Sequence, residues 1–112
     1  MQFSKEMMKG AAEMIVLQAL SDEGEAYGYD LMKAIKRSSA EIFEFREGTP
    51  YPLLYRLEDR GFVTSKKKQA PSGKTRRYYH LTDKGDQYLK KRAREWKLFA
   101  EGMRTVFKHD AA

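Results

Sequence analysis

The sequence predicts a mainly helical fold with a small β hairpin and one long C-terminal helix. Three observations carry that prediction. Residues 49–61 read as a short helix that opens on Thr49-Pro50 and closes at Gly61. Two strand-like runs, residues 62–64 and 77–81, flank a lysine-rich segment containing Pro71-Ser72-Gly73. From Leu89 onward, apolar residues recur at spacings that alternate between three and four, the seam of a helix that packs on another helix.

A chain of 112 residues makes one domain with a modest core, small enough to gain from oligomerisation. Its net charge is +6, and the location of that charge says more than its size. Residues 66–77 contain six basic groups (Lys66, Lys67, Lys68, Lys74, Arg76, Arg77) and no acid, leaving the rest of the chain balanced. A lysine-rich run is often only a solvated loop. Strand-like flanks on both sides favour a structured projection aimed at a polyanion. The absence of cysteine excludes disulfides and thiolate zinc sites. Glu13 interrupts the apolar N-terminal stretch, no small-residue cleavage pattern follows, and no run approaches a membrane span. A cytoplasmic protein is expected.

Each element has its own local reason. Residues 5–20 read as a helix that is apolar over most of its circumference. Met7, Ala11, Met14 and Leu17 trace one face, and Met8, Ala12, Ile15 and Ala19 a neighbouring one. A helix of this kind is buried on more than one side, here against a partner subunit. Residues 21–25 have turn composition. A second helix runs from about Tyr27 to Arg37, with Leu31, Ala34 and Ile35 inward and Lys33, Lys36 and Arg37 on a solvated face. Residues 42–45 alternate and predict a short strand. In the third helix Thr49 is the N-cap and Pro50 takes the first helical position, where a missing N–H costs nothing. Leu53, Leu54 and Leu57 form its buried stripe, and Gly61 follows its end. Two strands joined by a long loop come next. Thr82 then caps a last helix running to about Lys108, some 26 residues and about 39 Å long. Its far end overreaches so small a body and predicts a second copy of the chain.

The third helix leaves Tyr51, Pro52, Tyr55, Arg56, Asp59 and Arg60 facing outward. Tyrosine hydroxyls and rings suit phosphates, base edges and thymine methyls, and a cap hydroxyl such as that of Thr49 suits a phosphate. Tyr51 has a second reading, as cover for the core. A capped helix beside a cationic hairpin is the arrangement by which a winged helix-turn-helix meets duplex DNA. The only tryptophan, Trp96, reads as dimer core on the seam. Alternatively, with its symmetry mate and Met7, Met8 and Ala11, it walls a slot for a flat or cationic compound. His80 and His109 have no cysteine or carboxylate cluster around them, so no metal site is expected, and no catalytic constellation is present.

The order of elements and these residues resemble the PadR family of bacterial transcriptional regulators, in its short subfamily. The resemblance covers nearly the whole chain. It rests on Tyr27-Gly28-Tyr29, Gly48-Thr49, Tyr51-Pro52-Leu53-Leu54, Arg56-Leu57-Glu58, Gly61, Gly73-Lys74, Arg76-Arg77-Tyr78-Tyr79, Leu81-Thr82 and Gly85. Pro50 stands where the family usually has leucine, which predicts one core side chain fewer, and Lys74 where it often has arginine. The resemblance implies a homodimeric repressor whose heads are joined by the first and last helices, and some similar short members bind flat aromatic compounds between subunits.

The expectation is therefore a winged helix-turn-helix over residues 1–82 and a dimerisation helix over 83–112. DNA contacts are expected from Thr49, Tyr51, Pro52, Tyr55, Arg56, Lys66, Lys67, Lys74, Arg76 and Arg77. Dimer or ligand contacts are expected from Met7, Met8, Ala11, Leu89, Trp96, Phe99 and Met103. The expected partners are a pseudo-palindromic double-stranded operator, a second copy and a planar aromatic effector. No cofactor and no membrane are expected. Two rivals stay open on the residues alone: a ligand-binding helical dimer and a winged-helix protein-interaction module.

Overall fold

The structure, a computed structural model, describes residues 3–46 and 50–108. Five helices and three strands follow in order: α1 (Lys5–Met8), α2 (Ala11–Glu23), β1 (Ala26–Tyr27), α3 (Gly28–Ser38), α4 (Pro50–Asp59), β2 (Val63–Gln69), β3 (Thr75–Leu81) and α5 (Asp83–Val106). The strands form one antiparallel sheet in the order β1-β3-β2. The core lies between this sheet and the helices. Val16, Leu17 and Leu20 of α2 meet Leu31 and Ile35 of α3, Leu53, Leu54 and Leu57 of α4, and Tyr79 of β3.

The expected first helix is two. Gly10 adopts φ 84°, a conformation that suits glycine, and breaks the run between α1 and α2. Ser4 caps α1 by accepting from the Met7 N–H at 3.2 Å. At the other end α2 continues through Ser21 and Asp22 to Glu23, and Gly24 stops it at φ 80° with its N–H donating to the Leu20 carbonyl. Strand β1 has no signature in the sequence, because two residues are too few to show alternation.

No strand forms at residues 42–45. The chain turns there instead, through Ala40 and Glu41 at φ 52° and 67°. The Glu41 N–H closes onto the Lys36 carbonyl and the Phe43 N–H onto Ser39 Oγ. The alternation in this segment records that Phe43 and Phe45 turn toward the core while Ile42 stays exposed. Pro50 does not leave the core short of a side chain: it is itself fully buried.

The hairpin is longer and tighter than expected. Its strands pair in unbroken register from Val63↔Leu81 to Gln69↔Thr75. The lysine run is therefore strand rather than loop. Only residues 70–74 turn the chain, with the Gly73 N–H donating to the Ala70 carbonyl and Gly73 at φ 88°.

Helix α5 is seated where β2 begins. Thr82 Oγ1 accepts from the Gly85 N–H at 3.0 Å and donates to the Gly61 carbonyl at 2.6 Å. A Cβ at position 85 would lie 1.9 Å from the Phe62 carbonyl oxygen, so only glycine permits this approach. Leu89, expected on the dimer seam, is 4% exposed and packed into the core of its own chain. The open apolar face of α5 begins beyond it.

Candidate nucleic-acid interface

Helix α4 sorts its side chains as its pattern requires. Pro50, Leu53, Leu54 and Leu57 are buried. Pro52, Arg56, Tyr51 and Tyr55 are exposed, the two tyrosines at 37% and 53%, with their ring centres 6.5 Å apart. Thr49, the expected cap and phosphate contact, lies outside the described residues, as do Gly48 and His109. Tyr51 is not purely outward. Its ring lies over the backbone of Gly28 at the start of α3, so close that a Cβ there would be 2.7 Å from Tyr51 Cζ. One side chain thus covers the core edge with the hydroxyl end of its ring and is still 37% exposed.

The hairpin cations do not share one face. Side chains alternate along each strand, and the register puts Ser65, Lys67, Arg77 and Tyr79 on the side toward α4. There Ser65 Oγ donates to Glu58 Oε2 at 2.8 Å and accepts from an Arg77 guanidinium N–H at 3.1 Å. Lys67 and Arg77 are exposed. Tyr79 lies beneath them with no exposure, and its hydroxyl has no hydrogen-bond partner among the described residues. Burial first, then the neighbouring Tyr55 and Glu58, pushes its phenol up to about 12.

The opposite face holds Lys66, Lys68, Arg76 and Tyr78. Lys68 pairs with Glu25 and sits 4.6 Å over the Tyr78 ring. This contact with Lys68 holds the Glu25 carboxyl below its usual range. Arg76 lies 5.5 Å over the Tyr27 ring, which meets Tyr78 edge-on at 5.4 Å. Lys66 borders a polar cleft with Glu25, His80 and Asp86. Lys74 is exposed at the tip. Of the expected hairpin contacts, Lys67 and Arg77 accompany α4, Lys74 stands at the tip, and Arg76 and Lys66 occupy the far side. Linear charge density could not show this division, which needs the strand register.

Arg60 is exposed as expected, but it is not free. Its guanidinium donates to both carboxylate oxygens of Glu13, at 2.8 and 3.2 Å, and lies 4.8 Å over the Phe62 ring. Lys36 is likewise engaged, with Glu44 at 2.9 Å and Glu41 at 3.8 Å.

The second group of expected residues lies along the helices at the other end. Trp96 and Phe99 are 50% and 61% exposed and stack at 5.9 Å. Met103, Val106 and Phe107 continue the apolar face, and Met7 of α1 is exposed. Met8 is half-buried against the protomer's own core, and Ala11 is half-buried. Among the described residues no helix is long and apolar enough to cross a membrane.

Comparison with known proteins matches this arrangement. The model of the transcriptional regulator PadR-like family matches residues 16–91. A transcriptional regulator from Clostridium thermocellum superposes with a TM-score of 0.79 at 30% identity, covering 90% of this chain and 97% of that one. A PadR-like transcriptional regulator from Bacillus cereus gives 0.78 at 30% identity, covering 92% and 97%. The negative transcriptional regulator PadR of Bacillus subtilis is 31% identical over 67 residues, which are 60% of this chain and 37% of that protein.

Proposed function

The chain belongs to the PadR-like family of transcriptional regulators, a DNA-binding regulator and not an enzyme, and from that premise we propose that it acts as a homodimeric repressor of a pseudo-palindromic operator. The observation that carries this reading is the shared orientation of two independent elements. Tyr51, Pro52, Tyr55 and Arg56 stand on the outer face of α4, and Lys67 and Arg77 stand on the sheet face beside it. The helix enters the major groove and its tyrosines meet base edges and sugars, while the hairpin cations neutralise phosphates. Thr49, which precedes Pro50 in the sequence, enters this reading as a further phosphate contact. Lys66, Lys74 and Arg76 add charge around the tip and back of the hairpin.

Residues 1–82 form the DNA-reading head and residues 83–112 the dimerisation helix, with α1 and α2 shared between them. The exposed apolar stretch of α5 through Trp96, Phe99 and Met103 packs against its symmetry mate and Met7. In this reading a planar aromatic effector slots between the two Trp96 rings and changes the angle between heads, which releases the DNA. The Bacillus subtilis relative, named as a negative regulator, supports the repressive direction.

The test is selection of bound fragments from sheared genomic DNA by the whole protein, with sedimentation in parallel. Recovery of two-fold-related half-sites about 34–36 Å apart on one face of the duplex is expected. Fragments with no shared sequence, or a monomer that binds as tightly, would rule the reading out.

A further inference from the structure

Arg60 is the residue immediately after α4, and its backbone N–H still donates to the Arg56 carbonyl at 3.1 Å, so it moves with that helix. Its side chain does not turn to the DNA-facing side. The guanidinium makes two hydrogen bonds to Glu13 on α2, at 2.8 and 3.2 Å, and lies 4.8 Å over Phe62 and 5.3 Å over Tyr88. Tyr88 is on α5, and its ring stacks on Phe62 at 4.2 Å and 15°. Lys84, also on α5, donates to the Arg60 carbonyl at 2.9 Å. One residue at the end of α4 is therefore bound to both helices of the shared module, by an ion pair from Nη1 to the Glu13 carboxylate on one side and ring faces on the other. A planar guanidinium held over two ring faces while one of its nitrogens meets a carboxylate has a fixed direction as well as distance, which an ammonium group does not.

We propose that Arg60 is a positioning residue that sets the angle of α4 against the α2–α5 module, and through it the half-site spacing the dimer accepts. The inference rests on the dimeric, two-half-site reading above. Arg60 touches no DNA in this scheme. The core leucines of α4 hold the helix down, while the Arg60–Glu13 pair stops it from swinging about that attachment. In a two-fold dimer any swing is doubled at the far recognition surface, so spacing discrimination is the property most exposed to its loss.

The experiment uses the whole protein and duplexes that the wild type selects from a random-sequence pool, remade with one or two base pairs inserted at the centre. Each insertion moves one half-site by about 3.4 Å and turns it by about 35°. Wild type is expected to lose at least about tenfold in affinity per insertion. Arg60→Ala and Glu13→Gln should remain dimeric, bind random DNA as before, and lose less than about threefold. Arg60→Lys should fall between, since it keeps the charge and not the planar group that lies over Phe62 and Tyr88. If Arg60→Ala fails to fold, the isosteric Glu13→Gln decides the matter. Variants that discriminate spacing as sharply as wild type overturn the inference and leave the operator reading standing. A wild-type protein indifferent to spacing overturns both.

Discussion

The ring of Tyr51 rests on the backbone of Gly28, with room for no side chain between them. This contact joins the first turn of α4 to the first turn of α3, and it fixes where the Tyr51 ring and its hydroxyl stand. Gly28→Ala would put a Cβ 2.7 Å from Tyr51 Cζ, so the ring must leave its seat. The expected result is a loss of about 1–3 kcal/mol in preference for operator over random DNA, the size of one base contact. Tyr51→Ala and Tyr55→Ala should lower the same ratio. Competition titrations of the two DNA classes check it, and an unchanged ratio in all three variants would remove the tyrosines from sequence choice.

The division of the hairpin predicts two kinds of lysine and arginine variant. Lys67→Ala and Arg77→Ala remove cations on the α4 side, and each should flatten the slope of log affinity against log salt by about 0.9. Lys68→Ala and Arg76→Ala remove groups already engaged with Glu25 and Tyr27. They should lower thermal stability and change the slope by less. Equal slopes in all four variants would show that the faces do not divide the work.

Trp96 is half-exposed, and in the proposed dimer a second copy of the chain covers it. Trp96→Ala should leave the folding of each head almost unchanged and weaken dimerisation by about 2 kcal/mol or more, as expected for a central interface tryptophan. Operator binding should fall with it, because both half-sites are then no longer held together. Sedimentation over a concentration series measures the first effect and titration of operator DNA the second. A variant that stays dimeric and binds DNA, yet no longer quenches with planar dyes, would assign Trp96 to a ligand slot alone.

Tyr79 predicts an alkaline limit to stability. Its phenol is pushed up to about 12 in the fold, against about 10 in an unfolded chain. The native state therefore keeps its proton where the unfolded state has lost it. The stabilisation is complete below about pH 10 and is lost as pH rises toward 12, on the order of 1–3 kcal/mol. Tyr79→Phe should be nearly neutral at pH 7, because the hydroxyl has no partner to lose. It should also be more stable than wild type at pH 11. Urea unfolding at both pH values tests the pair, and parallel losses in the two proteins would exclude Tyr79 as the cause.

Local chemistry determined much of this protein from its sequence. Thr82 as a cap, Gly61 after α4, the leucine stripe at 53, 54 and 57, and the turn at Pro71-Ser72-Gly73 each act within a few residues, so their pattern is visible along the chain. The outward tyrosines of α4 followed from the same helical period. What depended on tertiary structure was every relationship set by distant partners. Alternation at residues 42–45 was no strand, since sheet formation needs a neighbour with free hydrogen-bonding groups. The six hairpin cations were one cluster in sequence, but in space five divide between two faces and Lys74 stands at the tip, because strand register sends successive side chains to opposite sides. Arg60 and Glu13 are 47 positions apart, and no periodicity links them. Leu89 fits the seam by spacing, yet the close seating of Gly85 on Phe62 draws it into the core. Short-range periodicity reports which side of an element is apolar; only the packed chain decides what that side meets.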